Sequence, residues 1–428
     1  MLKAVPILLE SLARLMVEHL KRETLMKHFG YLVFLLAMLS LSSVTQAQVS
    51  NDTVKLGVLT DMSGIFADGV GQGSVVAAQM AAEDFGGKVL GKPIEVIFAD
   101  HQNKPDTGAG IARSWFDRDG VDAILDIPVS SVALAVQKLA EDKNRVVLLS
   151  GAGASDLTGA ACTSTTLQWT YNTYALSSVA GKAVVARGDD SWFFVTADYS
   201  FGKSLEQDAT AAVKGAGGKV LGEVRHPINS SDLSSFLVQA QSSKAKVIAL
   251  ANAGGDTQTA IKQAAEFGIQ QSGQKLVALL LNLMDVHSLG LPAAKGMILS
   301  TAFYWDLDDQ TRAFANRFLA KHKRMPTMYQ AGVYSAATHY LKAIQAVGTD
   351  EAKAVVAKMR EMPVNDFFGR GGQVREDGQL IHDFYLAQVK SPAESKGEWD
   401  LYNILATVPG DQAFQPLQQS KCPRVTAK

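Results

Sequence analysis

Only two cysteines occur in the 428 residues, and there is no CxxC, no HExxH and no other close His/Cys spacing. Those spacings bring metal ligands together, so no zinc or other metal site is indicated. Charge of one sign is not in excess: 41 Lys/Arg stand against 42 Asp/Glu, a net of −1. That removes the electrostatic case for nucleic acid or an acidic membrane as partner. A GxxxxGK[ST] phosphate loop and a GxSxG nucleophile elbow are both missing. At this length the chain suits two domains rather than one core.

What is present begins with a leader. Lys27 and His28 precede an apolar stretch, Tyr31 to Leu41, that is too short to span a bilayer. Ser42, Ser43 and Thr45-Gln46-Ala47 follow, with small residues where a signal peptidase reads. Residues 1–47 are therefore expected to be a signal peptide cut after Ala47, with Met26 as an alternative start; the competing reading is a membrane anchor. Export places the mature chain in the periplasm, and the pair Cys162 and Cys422 is then expected to be a disulfide. It would tie the C-terminal tail, 413–428, back to the first half. The alternative is two separate buried thiols.

From Asp52 onward, apolar runs alternate with helical patterns. Val54–Leu59, Ile94–Ala99, Val121–Ile127 and Val146–Leu149 form one set of expected strands. Trp192–Thr196, Lys219–Val224, Val247–Leu250 and Leu276–Leu281 form a second, the two sets dividing near Thr170. Val132, Ala135, Val136, Leu139 and Ala140 repeat on one helical face, as do Ala260, Ile261, Ala264 and Ala265, with Gly268 placed to end that helix. Nearly continuous apolar strands with crossover helices imply an α/β chain with two doubly wound, Rossmann-like parallel sheets.

Ligands of open parallel sheets sit beyond the carboxyl ends of the strands. The Gly-rich, hydroxyl-bearing "LSGAGASDLTGAAC" lies there, after Val146–Leu149. Ser130, Ser131, Ala152, Ser155 and Asp156 read as a receptacle for a carboxylate, or as plain helix caps. The enzyme reading rests on Gly69, Gly71 and Gly73, but their spacing is GxGxG rather than GxGxxG, well beyond the first strand. Six histidines remain after the leader, scattered from His101 to His382. No catalytic residue and no cofactor is expected.

"VKLGVLTDMSGIFADGVGQG", "ADHQNKPD", "SGAGASDLTG", "TADYSFG" and "AKGMILSTAFYWD" follow one another in an order that resembles the branched-chain amino-acid class of type I periplasmic binding proteins of ABC importers. The resemblance runs from about Asp52 to about Trp399. It implies two lobes, 52–172 plus 302–358 and 173–301 plus 359–412, joined by a three-segment hinge. It also implies a small carboxylate ligand in the cleft between them, an inner-membrane permease as partner, and a monomer. The same lobes also occur in ligand sensors, which is the non-transport alternative.

Carried onto this sequence, the resemblance assigns Ser130 or Ser131, Ala152 and Ser155 to the ligand carboxylate and Tyr199 and Phe201 to an aromatic wall. Phe303 and Tyr304, with Trp305, would line the cleft or pack in the core. Two positions depart from the pattern. Val70 stands where many relatives carry an aromatic, and Asn282 stands near the acid that pairs with a ligand ammonium. A buried ammonium without a carboxylate is costly. The expectation is therefore an amine-free aromatic or aliphatic carboxylate, unless Asp285 or Asp256 reaches the ligand; an amino acid or amide is the alternative.

Overall fold

The computed structural model describes residues 12–23, 26 and 49–425, and the expected leader from Lys27 to Ala47 lies outside them. Residues 12–23 are helical. The chain divides into two compact units, Met1–Ala47 and Gln48–Lys428, and every described strand belongs to the second. None of the described helices is long and apolar enough to cross a membrane.

The strands are β1 (Val54–Thr60), β2 (Lys88–Val89), β3 (Lys92–Asp100), β4 (Ala123–Asp126), β5 (Val146–Leu149) and β6 (Thr166–Gln168). They continue as β7 (Ser191–Ala197), β8 (Lys219–His226), β9 (Val247–Ala251), β10 (Lys275–Ala278), β11 (Ile298–Thr301), β12 (Gln373–Val374), β13 (Leu380–Ile381), β14 (Phe384–Val389) and β15 (Tyr402–Val408). The first sheet runs β2-β3-β1-β4-β5-β6 and the second β10-β9-β7-β8. Every pairing in them is parallel except the short β2–β3 hairpin. β4, β5 and β9 are buried throughout, as strands covered on both faces must be.

Strand order fixes where a ligand can sit. In the first sheet the chain leaves β1 for β3 on one side and returns to β4 on the other. In the second it goes from β7 to β8, then back to β9. Each reversal opens a crevice at the carboxyl ends of the strands. β11, β14 and β15 form a third, antiparallel sheet that the sequence reading did not separate from the second. Leu279, Leu280 and Leu281, read as strand, lie beyond the end of β10 as buried loop. The helix Met328–Val347 packs on the helix Gly71–Asp84 and on β4 and β5, so a late segment covers the first sheet.

The tail is anchored by the Cys162–Cys422 disulfide, with Cα atoms 5.6 Å apart. Beside it Arg424 pairs with Glu141, and Phe414 meets Phe384 edge-on at 6.0 Å.

One glycine shows how tightly the second half is closed. The helix Ser200–Gly215 starts so close to β7 that a Cβ on Gly202 would lie 2.0 Å from the Ala197 carbonyl oxygen and 3.0 Å from that of Ala251. Backbone cannot yield as a flexible side chain can. Gly202→Ala is expected to cost about 1–3 kcal/mol of stability by overpacking, read as a lower denaturation midpoint. An unchanged midpoint would show that the helix start can lift off β7.

Candidate functional site

The loop after β1 is built by one carboxylate. Asp61 accepts hydrogen bonds from the N–H groups of Gly64 at 2.7 Å and Phe66 at 3.0 Å, and from Asn103 Nδ2 at 3.0 Å. This pins Ile65 and Phe66 over a cavity between the two crevices. The walls are nearly shut in this structure: about 20 Å³ of the cavity is open to the centre of a water molecule. The first-sheet wall also contributes Asp68, Gly69, Val70, Pro128 and Gly151; the second contributes Ala253, Gly254, Gln258, Leu280, Asn282 and Asp285.

Phe66, Tyr171, Tyr199, Phe201 and Tyr329 give the cavity an aromatic lining. Tyr171 is its hinge point: its ring lies 5.7 Å from that of Tyr329 and 6.4 Å from that of Phe201. Its hydroxyl donates to the Gly151 carbonyl at 2.8 Å. Gly151 has no room for a side chain, since a Cβ would sit 2.7 Å from Pro128 Cα.

Asn282 and Asp285 reach the cavity through a helix start. Asn282 caps the helix Leu283–Leu289, its Oδ1 accepting from the N–H groups of Met284 at 2.8 Å and Asp285 at 3.2 Å. The Asp285 carboxylate folds back to accept from the Asn282 N–H at 3.0 Å, completing a capping box. Its other oxygen accepts from Gln258 Nε2 at 2.8 Å. Neither partner is a cation, and among the described residues no lysine, arginine or histidine lines the cavity. Burial therefore pushes the Asp285 carboxyl up to about 6, against the two hydrogen bonds that favour its charge, with Asp68 adding to the rise.

That shift has a stability consequence. The folded state keeps the Asp285 proton to about pH 6, while an unfolded chain releases it near 4. The Asp285 contribution to stability of the ligand-free protein should therefore fall as pH rises from about 4 to about 6, because over that range the folded state binds more protons at this site; His101, pushed down to about 4 by burial, contributes in the opposite direction. Asp126, buried behind the cavity and also pushed up to about 6 by burial, acts in the same direction as Asp285. In thermal melts across this range the Asp285→Asn midpoint should rise relative to that of the wild type as pH increases; a constant difference would remove Asp285 from the account.

The structure brings three of the sequence-derived site residues, Tyr199, Phe201 and Asn282, into the wall, together with Val70 and Asp285. The others are not part of that wall, and Ser130, Ala152, Ser155 and Tyr304 have polar groups engaged elsewhere. Ser130 Oγ accepts from the Ala154 N–H at 3.1 Å, Ser131 is half-buried on the same helix turn, and the Ala152 carbonyl accepts from Gln168 Nε2 at 3.1 Å. Ser155 Oγ donates to Asp208 at 2.7 Å and meets Thr173 Oγ1 at 2.9 Å. Phe303 packs edge-on against Phe314 at 6.2 Å and Phe367 at 5.8 Å. The Tyr304 hydroxyl accepts from the Leu401 N–H at 3.1 Å. Asp256 is held by the N–H groups of Asn229 at 3.0 Å and Ser230 at 2.9 Å, away from the cavity.

Sequence reasoning missed Tyr171, Gln258 and Tyr329. Tyr171 follows β6, a three-residue strand without an apolar run. Tyr329 lies in the first turn of a helix far along the chain, with no local signal of a site.

Comparison with known proteins agrees with this architecture. A family model described as "Periplasmic binding protein" matches residues 53–398. A periplasmic binding protein from Burkholderia mallei is 51% identical, with a TM-score of 0.86 over 88% of this chain and 100% of that one. A branched chain amino acid ABC transporter periplasmic ligand-binding protein from Burkholderia xenovorans LB400 is 41% identical, with a TM-score of 0.78 over 87% and 100%. A solute-binding protein of an ABC transporter from R. palustris, in complex with benzoate, is 21% identical, with a TM-score of 0.75 over 84% and 97%, and shows the shared fold. The match spans both parallel sheets and the cleft they enclose: the chain belongs to the periplasmic binding protein family, as a type I substrate-binding protein of the ABC-transporter kind.

Proposed function

We propose that the mature chain, released from its leader after Ala47 as a monomer in the periplasm, carries a small amino acid with an apolar or aromatic body to an inner-membrane permease and performs no chemistry on it. Its lobes, 52–172 plus 302–358 and 173–301 plus 359–412, would close on the ligand about the segments that join them. One observation carries the ligand class: among the described residues, the buried Asp285 carboxylate lies in the cleft wall with no cationic side chain in that wall, whereas Asp68, also in the wall, is exposed and paired with Arg324 at 2.7 Å. An uncompensated buried carboxylate favours a ligand that brings a positive charge. The aromatic rings suit the ligand's body, and their faces add attraction for an ammonium. Pro128 and Gly151 flank the start of the helix Ser130–Asp142. Its first N–H groups, on Ser130 and Ser131 behind this part of the wall, have no partner within the helix, and the positive end of the helix dipole favours a carboxylate on the wall's near side.

Asn282 pointed the sequence reading toward an amine-free carboxylate; Asp285, three residues on, supplies the charge that Asn282 lacks. The amine-free reading keeps one support, the raised Asp285, which is uncharged when protonated. Thermal-shift and calorimetric titration with L-leucine, L-valine and L-phenylalanine, against 4-methylpentanoate, 3-phenylpropanoate and benzoate, separates the two. Binding by the amino acids alone supports the proposal; binding by the amine-free acids alone overturns it.

A further inference from the structure

Two facing segments, one from each wall, meet over the cavity. The carbonyl of Ile65, on the loop after β1, accepts a hydrogen bond from the Gly255 N–H at 3.0 Å. Gly255 is the first residue of the helix Gly255–Glu266, so this N–H has no partner inside the helix. The seat is bare. A Cβ on Gly254 would lie 2.5 Å from the Ile65 carbonyl oxygen and 2.9 Å from the Phe66 ring, and one on Gly255 would lie 3.1 Å from Ile65 Cβ. Gly254 also holds a φ of +58° with ψ of −133°, a combination that side-chain-bearing residues avoid. Ile65, Phe66 and Gly254 all belong to the cavity wall. The contact therefore joins the two walls at the ligand's edge.

We infer that the Ile65–Gly255 contact is the gate of the cleft, and that Gly254 and Gly255 set ligand affinity by leaving room for the β1 loop to seat. The inference rests on the cavity being the ligand site. A ligand held between two walls must enter with the walls parted, and its retention then depends on how completely they meet. The bare glycines let backbone reach backbone. A side chain on Gly255, which is not itself part of the cavity wall, would hold the loop off from outside the cavity.

The test fixes the gate shut and then wedges it open. Because the Cβ positions of residues 65 and 255 are 3.1 Å apart, only a few tenths of an ångström separate them from the spacing of about 3.5–4.5 Å that a disulfide spans. In the double variant Ile65→Cys, Gly255→Cys, mild oxidation is expected to give a peptide joining positions 65 and 255. The cross-linked protein should then fail to take up whichever of L-leucine, L-phenylalanine or benzoate binds the wild type. In the second variant, Gly255→Leu, that probe should bind at least tenfold more weakly, while the protein still unfolds in one cooperative transition.

Two free thiols after oxidation, uptake at the wild-type rate by cross-linked protein, or undiminished affinity in Gly255→Leu would each overturn the gate. Wild-type protein that binds none of the three probes counts against the ligand reading instead, and the cross-link still reports on the gate.

Discussion

Replacing Asp285 with asparagine should weaken binding of an L-amino acid by roughly thirtyfold to several thousandfold. This corresponds to the roughly 2–5 kcal/mol lost when one partner of a buried, hydrogen-bonded charge pair is removed. The size follows from where the carboxylate lies. It is 2% exposed, its two hydrogen bonds come from the neutral Gln258 amide and the Asn282 N–H, and among the described residues no lysine, arginine or histidine lines the cavity. Without a ligand this carboxylate is costly to charge; with an ammonium beside it, it charges fully.

Calorimetric titration near pH 7 measures the loss. Repeating it near pH 6, in buffers of different ionisation enthalpy, adds a readout that a purely structural role would not move. Binding of an amine should release about half a proton from this carboxyl in the wild type, which is half protonated at that pH, and that release should be lost in Asp285→Asn. Amino-acid affinity that survives the substitution would place the ammonium elsewhere. A gain in benzoate affinity with no loss for leucine would restore the amine-free reading.

The second large effect is on the fold. Replacing both Cys162 and Cys422 with serine should lower stability by about 5–6 kcal/mol in the chain-entropy model, because the bond closes a loop with a sequence separation of 260. Other contacts remain to hold the tail, among them the Arg424–Glu141 ion pair and the Arg375 Nη1 bond to the Gln415 carbonyl at 2.6 Å. The exposed ion pair adds little. Chemical denaturation of the oxidised protein against the double serine variant measures the difference. Equal midpoints would show that the unfolded chain is already compact enough for the bond to add nothing.

The sequence by itself determined the alternation of strands and helices, the two parallel sets dividing near Thr170, and the loops at the strand ends. It also marked Tyr199, Phe201 and Asn282. These are local properties: a buried parallel strand must be apolar along its whole length, and loop positions follow from where such runs stop. It also placed the cysteine pair, since two cysteines allow one bridge.

Tertiary structure decided the rest of the site. Ser130, Ala152 and Ser155 carry the right chemistry at the right loop ends, yet hydrogen bonds to Ala154, Gln168 and Asp208 engage them. No spacing rule reports whether a hydroxyl is already engaged. Asp285 enters the cavity because Asn282 caps a helix and turns the carboxylate three residues later back on itself. Tyr171 and Tyr329, far apart along the chain, meet at 5.7 Å because a late helix covers the first sheet. Strand periodicity is written along the chain, whereas the partners that neutralise, engage or leave bare a polar group come from segments far away in it.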